Sequence, residues 1–173
     1  MAVIKTFKVG NNSTNPSFDI VHPENRLAGV GIQLPEALAP TGNYVPFRLY
    51  DRILYLSGHG PRLADNTYMC GQLSELEHVA PGYAAARLTA LNMLATIKLA
   101  VGDLANVESV LKVFGMVNTT PDFAYHPQVI NGFSDVFVEA FGDVGRHARS
   151  AIGMASLPHG MTVEIEAILL VKR

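Results

Sequence analysis

The segment Met161 to Val171 carries two carboxylates, Glu164 and Glu166, inside an otherwise apolar run. If it is a strand, its side chains alternate between two faces. Val163, Ile165, Ala167, Leu169 and Val171 then share one face, and Glu164, Glu166, Ile168 and Leu170 share the other. The two carboxylates project together, about 7 Å apart along the strand. Burying an unpaired carboxylate is costly. Such groups therefore meet water, meet cations, or hold a raised pKa for proton transfer. Arg149 stands fifteen positions before Glu164, in the other arm of an apparent hairpin. A turn through "LPHG" would bring it toward the distal part of the last strand, not opposite Glu164. The residues alone leave two readings open. One is a structural ion pair between an arginine and a strand glutamate. The other is a site in which the two groups act together, at a strand end or a subunit boundary.

Other chemistry-bearing residues form no recognised motif. The histidines are His22, His59, His78, His126, His147 and His159, with no HxxH or HExxH spacing, so no metal site is predicted. They read as surface or turn histidines, but His59 and His147 border candidate site segments. Ser57 and Ser150 lack a GxSxG context. No GxGxxG or P-loop pattern is present, and the glycines of "SGHGP" read as turn glycines. Cys70 is the one cysteine and has no CxxC partner.

These residues need positioning elements. Tyr44 to Leu49 and Ile53 to Ser57 read as strands joined by "YDR". Tyr83 to Val101 is the clearest helix, with Ala84, Leu88, Leu91, Ala95 and Leu99 as its apolar stripe and Gly102 closing it. Val107 to Val117 contains a strand. A second helix runs from about Pro127 to Phe141, with Val129, Phe133, Phe137 and Phe141 four apart. Ala148 to Ala155 and Met161 to Val171 are the last strands. A short helix is predicted within His22 to Ile32. Residues 1–20 read as an N-terminal extension, with an edge strand around Val3, Ile4, Phe7 and Val9 and a loop over Gly10 to Ser17. Residues 21–173 read as one domain. The order β-β-α-β-α-β-β predicts an α+β fold, one mixed sheet with helices on one face. Another subunit is the plausible cover for the second face.

Composition bounds the partners. The chain has 173 residues, and 16% are charged, against roughly 25% in soluble domains. Either other subunits cover some surface or the core is large. Net charge is −2 and no basic run occurs, which argues against a nucleic-acid partner. A single cysteine and a start without an apolar stretch predict a cytoplasmic protein. No transmembrane helix is expected.

Three stretches resemble the YjgF/RidA family, also called the reactive-intermediate deaminase or endoribonuclease L-PSP family: "GNYVPF…ILYLSGHGP", "DFAYHPQVINGFSDVF" and "ARSAIGMASLPHGMTVEIEAILL". The resemblance covers roughly residues 40–173, and the last stretch is its most specific part. It implies a chorismate-mutase-like fold and a homotrimer with clefts between subunits. It also implies hydrolysis of enamines and imines such as 2-aminoacrylate to 2-keto acids and ammonia, without a cofactor or metal. By motif, Arg149 matches the arginine that clamps the substrate carboxylate, and Glu164 the carboxylate that handles the attacking water. Tyr44, Gly58 and Asn131 match residues that line the pocket. Glu166 is left to pair structurally. The sequence departs from the pattern at Ala151, where many relatives carry cysteine and where the implied role is backbone hydrogen bonding. It departs again at Gly153, where the founding subgroup often has a charged residue. Two alternatives stay open: a non-catalytic protein whose clefts bind a 2-keto acid or other small carboxylate without turnover, and an endoribonuclease, suggested by the family's older name.

Overall fold

The computed structural model describes residues 22–37, 39 and 42–173. The predicted N-terminal extension lies outside the described residues. The elements run α1 (Pro23–Gly29), β1 (Phe47–Tyr50), β2 (Ile53–His59), α2 (Val79–Val101), β3 (Val107–Asn118), α3 (His126–Phe141), β4 (Ala148–Met154) and β5 (Val163–Val171). The predicted order holds. Tyr44, expected in the first strand, lies just before it.

The five strands form one mixed sheet in the order β1-β2-β5-β3-β4. The last strand is central, antiparallel to both β2 and β3. β4 is an edge strand, parallel to β3 from Lys112↔Ala148 to Asn118↔Met154. The apparent hairpin between β4 and β5 is therefore absent. A parallel pair needs a long crossover, and α3 supplies it between β3 and β4. β3 then separates the arginine strand from the glutamate strand.

On β5 the predicted alternation is observed. Val163, Ile165, Ala167, Leu169 and Val171 are at most 4% exposed and face the helices. Each fully buried side chain of this size stabilises the fold by about 1.5–3 kcal/mol. On α3, Val129, Phe133 and Phe137 are fully buried, and the two phenyl rings stack at 4.3 Å.

The predicted stripe of α2 is displaced. Ala84 is exposed and Leu99 is 63% exposed, whereas Ala85, Ala86, Ala90, Met93, Leu94 and Ile97 are fully buried. The helix is apolar nearly all round, so periodicity could not single out its inner face. Close packing did: a Cβ on Gly132 of α3 would stand 2.1 Å from the Tyr83 carbonyl oxygen of α2. By length and composition alone this helix would suffice to cross a membrane. It is instead packed against α3 and the sheet.

The second face of the sheet carries no helix among the described residues. Tyr55 and Ile152 lie on it, 46% and 40% exposed, together with half-buried Phe114, Met116, Ile168 and Leu170.

Candidate functional site

Glu164 projects from the centre of the sheet on this open face. Its neighbours Val163 and Ile165 point into the core, so alternation fixes its direction. Burial raises its carboxyl above the ordinary value, and the nearby Glu166 charge adds to the rise. Neither glutamate is in an ion pair among the described residues, and Glu166 is exposed. The structural pairing expected of Glu166 is thus not observed among the described residues.

Gly58 lies directly against Glu164. Strand β2 bulges between Leu56, paired with Ala167, and His59, paired with Ile165. The extra residue re-aims the chain and brings the Gly58 backbone under the carboxylate. A Cβ on Gly58 would be 2.0 Å from Glu164 Oε1. Tyr44 and Tyr68 rise beside this pair, and Met161 and His159 complete the cleft. The His159 ring stacks on Tyr68 at 5.1 Å.

Buried polar groups on α2 hold the bulge in place. Asn92 Nδ2 donates to the carbonyls of Gly60 and Arg62, at 3.2 and 3.0 Å. His59 is half-buried, with Nδ1 2.7 Å from the Ser57 carbonyl and Nε2 2.9 Å from Thr96 Oγ1. A carbonyl only accepts, so Nδ1 carries the proton; in the neutral ring Nε2 is an acceptor for the Thr96 hydroxyl, whose other acceptor is the Asn92 carbonyl at 3.2 Å. Burial lowers the pKa of this imidazole and keeps it neutral. Asn92 and Thr96 escaped the sequence reading. The signal for them was two polar residues in the most buried stretch of an apolar helix.

Arg149 lies elsewhere, on the helix side of edge strand β4. Nη1 donates to Asn131 Oδ1 at 3.0 Å and to Ser134 Oγ at 2.8 Å, and Nη2 donates to the Pro127 carbonyl at 3.3 Å. All three acceptors belong to α3. Of the five N–H groups of a guanidinium, Nε–H and one on Nη2 have no acceptor among the described residues. Those two nitrogens form a fork suited to a carboxylate. Partial burial lowers the guanidinium pKa, which Asp135 partly offsets; a guanidinium remains charged regardless.

Ala151 is half-buried beside Arg149 on β4 and pairs with Gly115 of β3. Gly153 continues the same face. A Cβ there would stand 2.5 Å from Thr119 Oγ1 and 2.6 Å from His126 Nε2. A side chain at this position would have to displace both groups.

The predicted site residues thus fall into two groups. Arg149, Asn131 and Ala151 gather at the sheet edge, whereas Tyr44, Gly58 and Glu164 gather on the open face. In register, Glu164 lies opposite Met116, which lies opposite Ile152, three residues from Arg149. Two strand spacings and three residues put the Cα atoms about 14 Å apart, with side chains on opposite faces. Elsewhere, His22, Glu24 and Asp103 come close enough to share a metal ion. Each already has a partner within the chain: Lys98 Nζ is 2.7 Å from Glu24, and His22 Nε2 is 2.7 Å from Asp103.

The comparisons agree with this architecture. Residues 24–165 match the family described as "YjgF/chorismate mutase-like, putative endoribonuclease". Protein TCP17 of Trypanosoma cruzi is 42% identical over 144 residues, 83% of this chain and 90% of its own. The protein Atu1372 of Agrobacterium tumefaciens, of unknown function, is 39% identical with a TM-score of 0.77, covering 87% of this chain and 94% of its own. A Shewanella oneidensis protein with the same endoribonuclease description is 31% identical with a TM-score of 0.82, covering 87% of this chain and 100% of its own. With its single mixed sheet and two long helices on one face, the chain belongs to the YjgF/chorismate mutase-like family.

Proposed function

We propose that the chain hydrolyses small 2-imino acids, and their enamine tautomers such as 2-aminoacrylate, to 2-keto acids and ammonia. The observation that carries this reading is the division of the site into two halves with complementary chemistry. One half offers a guanidinium whose Nε–H and one Nη2–H have no acceptor among the described residues. The other offers a carboxyl of raised pKa in a cleft. Groups on opposite faces of one sheet do not meet around one small molecule. A second copy must bring its Glu164 half against the Arg149 half of the first. Such a contact joins two different patches, and when it closes on itself it makes a ring; we assign a homotrimer. The apolar open face, with Tyr55, Phe114, Met116 and Ile152, fits burial between subunits.

The chemistry follows from the residue types. Arg149 grips the substrate carboxylate through its fork. Asn131 accepts from Arg149 through Oδ1, leaving its amide hydrogens for the ligand. Glu164 takes a proton from water as the water oxygen bonds to C2. That proton passes to the nitrogen and gives the carbinolamine; the new hydroxyl then gives its own proton to the nitrogen by way of Glu164, the C2–N bond breaks with release of ammonia, and C2 becomes the ketone carbon. No electrons are exchanged, and orientation with proton transfer suffices. The net charge of −2 and the absence of a basic run weigh against the endoribonuclease alternative.

The test generates 2-aminoacrylate in situ with a lyase and follows its loss. Wild type should accelerate hydrolysis over buffer, and Arg149→Ala and Glu164→Ala should abolish the acceleration. No acceleration with several imino acids would overturn the enzymatic reading. Arg149-dependent binding of a 2-keto acid in that case would support the binding-protein alternative.

A further inference from the structure

Arg149 does not hold its orientation alone. Behind it runs a chain of hydrogen bonds whose polarity is fixed from one end. The Gly145 carbonyl lies 2.7 Å from His147 Nδ1. A carbonyl can only accept, so Nδ1 carries a proton. In the neutral ring Nε2 is then an acceptor, and Ser134 Oγ, 3.0 Å away, donates to it. The lone pairs of Ser134 Oγ are thereby turned to the Arg149 Nη1–H at 2.8 Å. His147 is two residues before Arg149 on the chain, and Ser134 is one helical turn after Asn131 on α3.

We propose that Ser134 and His147 are positioning residues for the carboxylate clamp: neutral, Nδ1-protonated His147 orients the Ser134 hydroxyl, which fixes Nη1 and leaves the Nε and Nη2 edge of Arg149 to the ligand. The proposal rests on the reading of Arg149 as the group that grips a small carboxylate. It adds two residues that touch no substrate and act through the arginine.

The surroundings keep His147 neutral. Its ring packs edge-on against Phe133 and Phe137, with centroids 6.3 Å away in both cases. Burial lowers its pKa, outweighing the opposite effect of the hydrogen bond to the Gly145 carbonyl, and the Arg149 charge lowers it further. Asp135 on α3 acts on Arg149, and Asp143, in the turn before His147, is held by Arg146 at 3.1 Å. A proton on Nε2 would make that nitrogen a donor, turn the Ser134 hydroxyl hydrogen away, and set a second cation behind the clamp. At neutral pH the Ser134 hydroxyl hydrogen is therefore committed to His147; on acidification Oγ must accept from both cations, the hydroxyl hydrogen is released, and repulsion between the two charges loosens the Arg149 contact.

Two measurements on the full chain test this. The first is 15N NMR of the Arg149 side chain. Hindered rotation should give resolved Nη signals at neutral pH, and these should merge in Ser134→Ala and in His147→Phe. They should also merge in wild type as His147 takes up its proton. The second is calorimetric binding of 2-ketobutyrate. Ser134→Ala and His147→Phe should each weaken it about tenfold, as expected for a lost hydrogen bond to a charged group. Ser134→Thr, which keeps the hydroxyl, should restore affinity to within about threefold. An alanine variant with Arg149 signals as resolved as in wild type would overturn the proposal. So would Ser134→Thr and Ser134→Ala losing affinity equally. If wild type itself binds no 2-ketobutyrate, the clamp reading fails, and the NMR result still decides whether Ser134 and His147 order the guanidinium.

Discussion

The Gly58→Ala substitution separates stability from function. An added Cβ would stand 2.0 Å from Glu164 Oε1, 2.9 Å from Cδ and 3.1 Å from Cγ, and real Cβ contacts are not found under 3.0 Å. The carboxylate must therefore recede by about 1 Å. It is the end of a flexible side chain beside an open cleft, so the move is cheap for the fold. The φ of Gly58 is not positive, so alanine fits the backbone, and removing glycine favours folding by about 0.4–1 kcal/mol through the unfolded chain. For a reaction that depends on a placed water, a 1 Å misplacement costs on the order of 100-fold in rate. Gly58→Ala should thus lose about 100-fold in turnover of 2-aminoacrylate with an unchanged or slightly raised Tm. Turnover within threefold of wild type would refute the assigned role of the Gly58–Glu164 contact. A collapse in Tm would show that the bulge, not the carboxylate, is what glycine serves.

Arg149→Lys should fail nearly as completely as Arg149→Ala in the same turnover assay, because a point charge replaces a fork. Glu164→Gln should lose about 100- to 10,000-fold in rate, as for removal of a general acid–base. Its stability has a defined pH dependence. A carboxyl raised in the folded state binds its proton more readily folded than unfolded, so the cost of its burial is absent below about 4.5, the ordinary value, and appears as pH rises through the folded pKa. Glu164→Gln should therefore match wild type in Tm at acid pH and equal or exceed it at neutral pH. Phe133→Ala, which removes a fully buried ring stacked on Phe137, should cost about 3–5 kcal/mol in denaturant unfolding.

Much of the fold was legible because its signals are local. Alternation on β5, the phenylalanine spacing of α3 and the Gly102 cap each report a single element. The pairing of β4 was not legible. An edge strand and a hairpin arm read alike, and only the crossover through α3 decides that Arg149 lies two strands from Glu164. The face of α2 was hidden because an all-round apolar helix has no periodic preference, and its inner side is set by the approach of Gly132 to Tyr83. Within the candidate site, the motif named residues to look for and His147 stood out as bordering a site segment, but the contacts that hold these residues were not legible. Asn92, Thr96, Ser134 and His147 act through partly buried hydrogen bonds, which depend on tertiary placement and leave no spacing pattern.

The claim that one active site is completed by two chains can be tested by subunit mixing. Arg149→Ala and Glu164→Gln, each inactive alone, are unfolded together in equal amounts and refolded. If each site takes its arginine from one chain and its glutamate from the next around a ring, random assembly leaves about one site in four intact. Recovery of about a quarter of wild-type turnover is the predicted result. A mixture as inactive as its two components would contradict the shared site.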